Sequence, residues 1–107
     1  MELKNYTIRV DGKVQGVGFR YSALQKAQEL ELRGCVRNEG DGSVFLEIEG
    51  SPGATMEMIH WCRKGPSFGR VDDISLEEGL PKDLPSFYIA RWFKKIETLN
   101  KDFFHAA

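Results

Sequence analysis

The residues best suited to chemistry lie together in one stretch, Gly12-Lys13-Val14-Gln15-Gly16-Val17-Gly18-Phe19-Arg20. Three glycines separate a strand-like run from a helix-like run. Glycine lets a backbone turn through left-handed conformations and lets a ligand come close to main-chain N–H groups. A loop that opens a helix also leaves the first N–H groups unpaired, with the positive end of the helix dipole behind them. Arg20 stands at that junction with a planar, permanently charged fork suited to phosphate or carboxylate. Types and spacing together describe an anion cradle holding an arginine. It is not a P-loop, because no Gly-Lys-Ser/Thr follows, and it lacks the third glycine of a dinucleotide fingerprint.

A second stretch, Gly34-Cys35-Val36-Arg37-Asn38-Glu39-Gly40-Asp41-Gly42-Ser43-Val44, places Asn38 at a strand end before a turn. There an asparagine commonly bonds its own backbone. Its amide also offers an acceptor and two donors, enough to hold a water but not to act as a base at neutral pH. Elsewhere the reactive types are scattered. His60 and His105 belong to no ligand cluster, so no metal site is expected. Asp72-Asp73 and Glu77-Glu78 read as solvated surface. Cys35 and Cys62 have no metal-ligand spacing and read as free, buried or half-buried thiols.

The elements around these stretches follow from periodicity. Tyr6, Ile8 and Val10 alternate on one face of a strand. Ala23, Leu24, Ala27 and Leu30 fall at helical spacing over 21–32, and Gly34 is expected to stop that helix. Residues 35–38 form a strand, Asp41-Gly42 a tight turn, and 43–49 a strand with Val44, Leu46 and Ile48 on one face. Ser51 and Pro52 mark a second helix, with Met56, Ile59 and Cys62 as its stripe, ending near Gly65. Residues 69–74 are extended with Val71 and Ile74 inward, 77–85 a loop, and 86–93 a last strand. The order βαββαβ with a short fifth strand predicts an α+β, ferredoxin-like sandwich, two helices on one face of an antiparallel sheet.

The two stretches, in order, resemble the two signatures of the acylphosphatases, and the resemblance runs from about residue 6 to about 93. It implies the same fold and a hydrolase acting on the carboxyl–phosphate bond. It also implies that Arg20 binds phosphate, that the N–H groups of Gln15, Gly16, Val17, Gly18 and Phe19 complete the cradle, and that Asn38 holds the attacking water. No metal or other cofactor is implied. Two departures stand out: Cys35 replaces an aromatic residue, commonly Trp, and Gly40 loosens the turn. Neither touches Arg20 or Asn38.

Length and charge bound the rest. The 107 residues suit one domain, here 1–93, with a 94–107 extension whose Ile96, Leu99 and Phe103 could share a helical face. A net charge of −1 gives no footprint for nucleic acid. Gly16–Tyr21 also loosely resembles the aromatic-glycine signature of RNA-recognition motifs, but it lies in a loop rather than on the third strand. No run approaches the ~20 apolar residues of a membrane helix, and the first residues lack a secretory core. The expectation is a cytoplasmic monomer acting on a small acyl phosphate. The alternative is a non-catalytic phosphate- or nucleic-acid-binding module of the same fold.

Overall fold

The computed structural model describes residues 2–90. Residues 91–93 of the expected last strand and the 94–107 extension lie outside the described residues. The alternation of Tyr6, Ile8 and Val10 becomes β1 (Lys4–Lys13), and that of Val44, Leu46 and Ile48 becomes β3 (Val44–Gly50). The two strands pair antiparallel with Tyr6 opposite Ile48, Ile8 opposite Leu46 and Val10 opposite Val44. A one-residue slip would turn every one of these side chains to the other face, so the pattern fixes the register. β2 (Arg33–Asn38) flanks β3 on its other side, and β4 (Arg70–Gly79) flanks β1. β5 (Phe87–Ile89) adds to β2 in parallel, giving the order β4-β1-β3-β2-β5. Helices α1 (Phe19–Glu29) and α2 (Pro52–Lys64) cover one face. This is the ferredoxin-like sandwich, antiparallel in its four main strands.

One core joins the sheet to both helices. Ile8, Val10, Val36, Val44, Leu46 and Ile48 meet Ala23, Ala27, Met58 and Cys62, all of them fully buried. Each large aliphatic there contributes about 1.5–3 kcal/mol by leaving water. The stripe of α2 differs from the expected one. Thr55, Met58, Ile59 and Cys62 are buried, while Met56 is exposed. Thr55 takes a core position because its hydroxyl donates to the Pro52 carbonyl (2.9 Å) and carries no unmet polar group inside. The ends of α2 are as expected: the Ser51 hydroxyl accepts from the Ala54 N–H (3.2 Å), Pro52 opens the helix and Gly65 closes it.

Gly34 does not stop α1. The helix ends at Glu29, and the left-handed residue beyond it is Glu31 (φ 58°). Gly34 lies inside β2, where a Cβ would collide with the Glu47 carbonyl oxygen. The requirement is close strand approach rather than helix termination. β4 is also longer than the sequence suggests, because Glu77–Gly79 pair with β1 instead of looping. Val71 and Ile74 both pack on the core although three residues apart. A bulge opposite Asp11 and Gly12 shifts the register and restores the inward face.

The chain must then cross from β4 to the far edge of the sheet. Four strand spacings amount to about 19 Å, and the eight steps from Gly79 to Phe87 reach about 26–29 Å when extended. The connection is therefore a short strap, with the left-handed Asp83 (φ 56°) taking up the slack. Glu49 fastens it. This buried carboxylate accepts the N–H groups of Lys82 (2.7 Å) and Leu84 (2.8 Å) and the Asn5 amide (3.1 Å). Burial pushes the Glu49 carboxyl up, but these donors outweigh it and hold the group below the usual glutamate range. A carboxyl held low stabilises the fold above its unfolded pKa of about 4.3 and loses that contribution as pH falls through the lower folded value. Replacing Glu49→Gln should thus lower the urea midpoint most at pH 7, and the gap to the parent should narrow below about pH 4. A gap independent of pH would mean the charge of Glu49 is not what fastens the strap.

Candidate active site

β1 and β2 run parallel with β3 between them, so Lys13 and Asn38 finish at the same edge of the sheet. Val36 and Asn38, two apart, share the helix-side face, and Asn38 stands just past the core. From Lys13 the chain enters a five-residue loop and then α1. Val14 and Phe19, each about 1% exposed, anchor the two sides of that loop. Phe19 packs its ring on Trp61 of α2 at 5.2 Å between centroids. Between the anchors, Gly16 (φ 75°) and Gly18 (φ 78°) are left-handed. An added Cβ would meet nothing within 4 Å at either, so glycine is required there by conformation.

This geometry leaves donors unused. The helix N-cap is Gly18, which has no side chain to cap with, and the first bond of the helix runs from the Ser22 N–H to the Gly18 carbonyl (3.0 Å). Among the described residues, the N–H groups of 15–19 donate to no protein acceptor. Successive free N–H groups in such a loop, at the positive end of a helix dipole, attract an anion.

A cavity of about 250 Å³ opens there, lined by Val14, Gly16, Gly18, Phe19, Arg20, Tyr21, Asn38 and Ile89. It is smaller than the ~300–1,000 Å³ typical of sites for drug-sized ligands. Arg20 is half-buried and, among the described residues, makes no ion pair. The Oδ1 atom of Asn38 is buried and, among the described residues, accepts no hydrogen bond. Such an unmet acceptor costs about 1–3 kcal/mol unless something donates to it.

Of the residues singled out in the sequence, Gly16, Gly18, Phe19, Arg20 and Asn38 line this one cavity. Gln15 and Val17 do not. Val17 turns toward Gly69. The Gln15 amide instead donates to the carbonyls of Glu39 (2.8 Å) and Ser43 (2.9 Å) in the β2–β3 hairpin. Tyr21, Ile89 and Val14 are wall residues that sequence reasoning missed. Tyr21 follows Arg20 directly and read as a helix start rather than as part of the cradle. Ile89 reaches the cavity through the parallel pairing of β5 with β2, which no local pattern announces.

The hairpin carrying Asn38 is held by its own turn. Asp41 accepts from the Ser43 hydroxyl (2.6 Å) and N–H (3.0 Å) and pairs with Arg9 (2.8 Å). These contacts, the Ser43 hydroxyl foremost, hold the Asp41 carboxyl well below its usual range. The two thiols take no part: Cys35 and Cys62 are buried and unpaired to each other, and burial pushes Cys62 up to about 12.

Comparison with known proteins points to one family. The acylphosphatase family model matches residues 6–89. The chain is 42% identical over 80 residues to an acylphosphatase from Nocardioides, covering 75% of this chain and 81% of that protein. To one from Burkholderia ambifaria it is 47% identical over 79 residues, covering 73% and 80%. Its structure is similar to the acylphosphatase from Bacillus subtilis with a TM-score of 0.79 and 38% identity, covering 83% of this chain and 99% of that one.

The loop's conformation is open to direct measurement. Because nothing obstructs a methyl group, Gly16→Ala and Gly18→Ala should each lose only the left-handed penalty, about 1–2 kcal/mol of unfolding free energy. Gly34→Ala, which drives a methyl into the Glu47 carbonyl, should lose more. Denaturation that showed either loop variant as stable as the parent would contradict the left-handed loop.

Proposed function

The chain belongs to the acylphosphatase family, and from that premise we propose how its own residues hydrolyse an acyl phosphate. The dianionic phosphate lies on the N–H groups of residues 15–19 with the Arg20 guanidinium across it. Asn38 accepts a hydrogen bond from the attacking water and holds its oxygen toward phosphorus, in line with the departing carboxylate; the water's protons stay on the inorganic phosphate that is released. Phosphoryl transfer of this kind depends mainly on positioning and on stabilising the charge of the equatorial oxygens. The leaving carboxylate has a pKa near ~4 and departs without an acid to protonate it. That accounts for a wall bearing one arginine and one neutral amide in place of a histidine or a carboxylate pair. In this proposal the guanidinium and the preorganised N–H groups supply the charge stabilisation, so no metal is required.

The observation that carries the proposal is the buried Oδ1 of Asn38, an acceptor in the same cavity as Arg20 that has no donor among the described residues. A water O–H directed at it satisfies the amide and fixes the nucleophile together. Arg20 is the charged residue of the wall, so recognition is concentrated at the phosphate. The acyl group is read loosely, and we propose broad acyl specificity.

The test is hydrolysis of benzoyl phosphate with EDTA present. Arg20→Ala and Asn38→Ala should each lower kcat/KM about 10²- to 10³-fold, the scale for losing one oxyanion donor. Arg20→Ala should weaken inhibition by inorganic phosphate, whereas Asn38→Ala should lower kcat and leave that inhibition close to the parent's. A folded parent that binds phosphate without turnover would favour the binding-module reading.

A further inference from the structure

We propose that the Gln15 side chain is a positioning residue, tying the anion-binding loop to the β2–β3 hairpin and so setting Asn38 at its distance from the bound phosphate. The proposal rests on the functional reading above. The loop that would hold phosphate and the strand that carries Asn38 belong to different parts of the sheet, with β3 between them. Nothing in the sheet ladder links their tips directly. Gln15 does, through two bonds from one nitrogen: Nε2 to the Glu39 carbonyl (2.8 Å) and to the Ser43 carbonyl (2.9 Å).

Those two carbonyls frame the turn. Glu39 is the residue after Asn38, and its N–H also donates to the Ser43 carbonyl (2.9 Å). Both partners are acceptors, so the amide must present its NH2 group to them, which settles its orientation. No other side chain of the loop makes such a bridge. Beyond the β1–β3 ladder, which ends at Val10 opposite Val44, the hairpin turn's side-chain contact with β1, Arg9 with Asp41, is an exposed ion pair that does not involve the loop.

The chemistry makes this tie consequential. A neutral asparagine contributes to in-line attack only through where it holds the water. Reacting atoms must lie about 3–3.5 Å apart, and a displacement of about 1 Å can cost about 10²-fold in rate. Phosphate affinity draws instead on Arg20 and the loop N–H groups. Loss of the tie should therefore separate the two quantities.

The experiment compares the parent with Gln15→Met, Gln15→Glu and Arg9→Ala, measuring benzoyl phosphate turnover and inhibition by inorganic phosphate. Gln15→Met keeps the length and removes both donors, so kcat should fall at least about 10-fold with the phosphate inhibition constant within about threefold of the parent. In Gln15→Glu a carboxylate would face two carbonyls at neutral pH, and its pKa would rise above the ordinary value of about 4.3. As pH falls through about 5–6 the protonated acid can donate one bond, so kcat relative to the parent should recover. Arg9→Ala should leave kcat within about twofold. A Gln15→Met kcat within about twofold of the parent's would overturn the proposal, as would equal losses in kcat and phosphate affinity. If Gln15→Met fails to fold, the acid recovery of Gln15→Glu decides, and its absence overturns the proposal. An inactive parent would instead remove the hydrolase reading on which the proposal stands.

Discussion

The structure turns on a row of backbone N–H groups that find no acceptor among the described residues. Residues 15–19 can stay in that state because Gly16 and Gly18 take left-handed conformations at no steric cost. They remain ordered because Val14 and Phe19 are sunk in the core on either side. Phe19 opens α1 and packs on Trp61, so the helix that supplies the dipole is fixed by the opposite helix. Unpaired donors are ordinarily a cost to folding. Here they stay at the surface, where water or an anion can meet them, and the apolar anchors keep their arrangement from collapsing.

The topology divides the sheet between its two ends. At one end the parallel strands β1 and β2 deliver the loop and Asn38 to the same edge, with β5 adding Ile89. At the other, Asn5 and Glu49 receive the strap that crosses the sheet. The crossing is what lets β5 reach β2. The far end thus governs the cavity indirectly, through the strand that completes its wall.

Much of this was legible in the residues. Alternation at Tyr6, Ile8 and Val10 and at Val44, Leu46 and Ile48 marked both strands and their buried faces, and the structure pairs those faces in register. Ser51 and Pro52 marked a helix start by a capping bond that is local. What was not legible was non-local. Gly34 looked like a helix stop, yet it answers to the Glu47 carbonyl across the sheet. Met56 looked like core by its side chain, yet the helix turns Thr55 inward because the Pro52 carbonyl can take its hydroxyl. Glu77–Gly79 read as the start of a loop because Gly79 and the prolines beyond it break the pattern, and an edge strand needs little apolar patterning to pair. At the site, the loop and Asn38 stood out as types, whereas the destination of the Gln15 side chain depended on a hairpin 24 residues away.

The distribution of charge bears on what kind of chemistry the cavity suits. Strongly perturbed carboxylates and thiols are a common guide to catalytic sites, because acids, bases and nucleophiles need tuned pKa values. In this molecule that guide leads elsewhere. Glu49 is held low at the opposite end of the sheet by strap N–H groups, Asp41 is held low by its own turn, and Cys62 is pushed up inside α2. Each shift belongs to a structural contact. The cavity itself joins a permanently charged guanidinium to an amide that does not titrate. In the proposed mechanism, a site built from such groups has no proton to tune and works by positioning and fixed charge. That is consistent with a leaving group that departs as a stable carboxylate, and it moves the burden from pKa adjustment to the anchors and the glutamine tie that hold the parts in place.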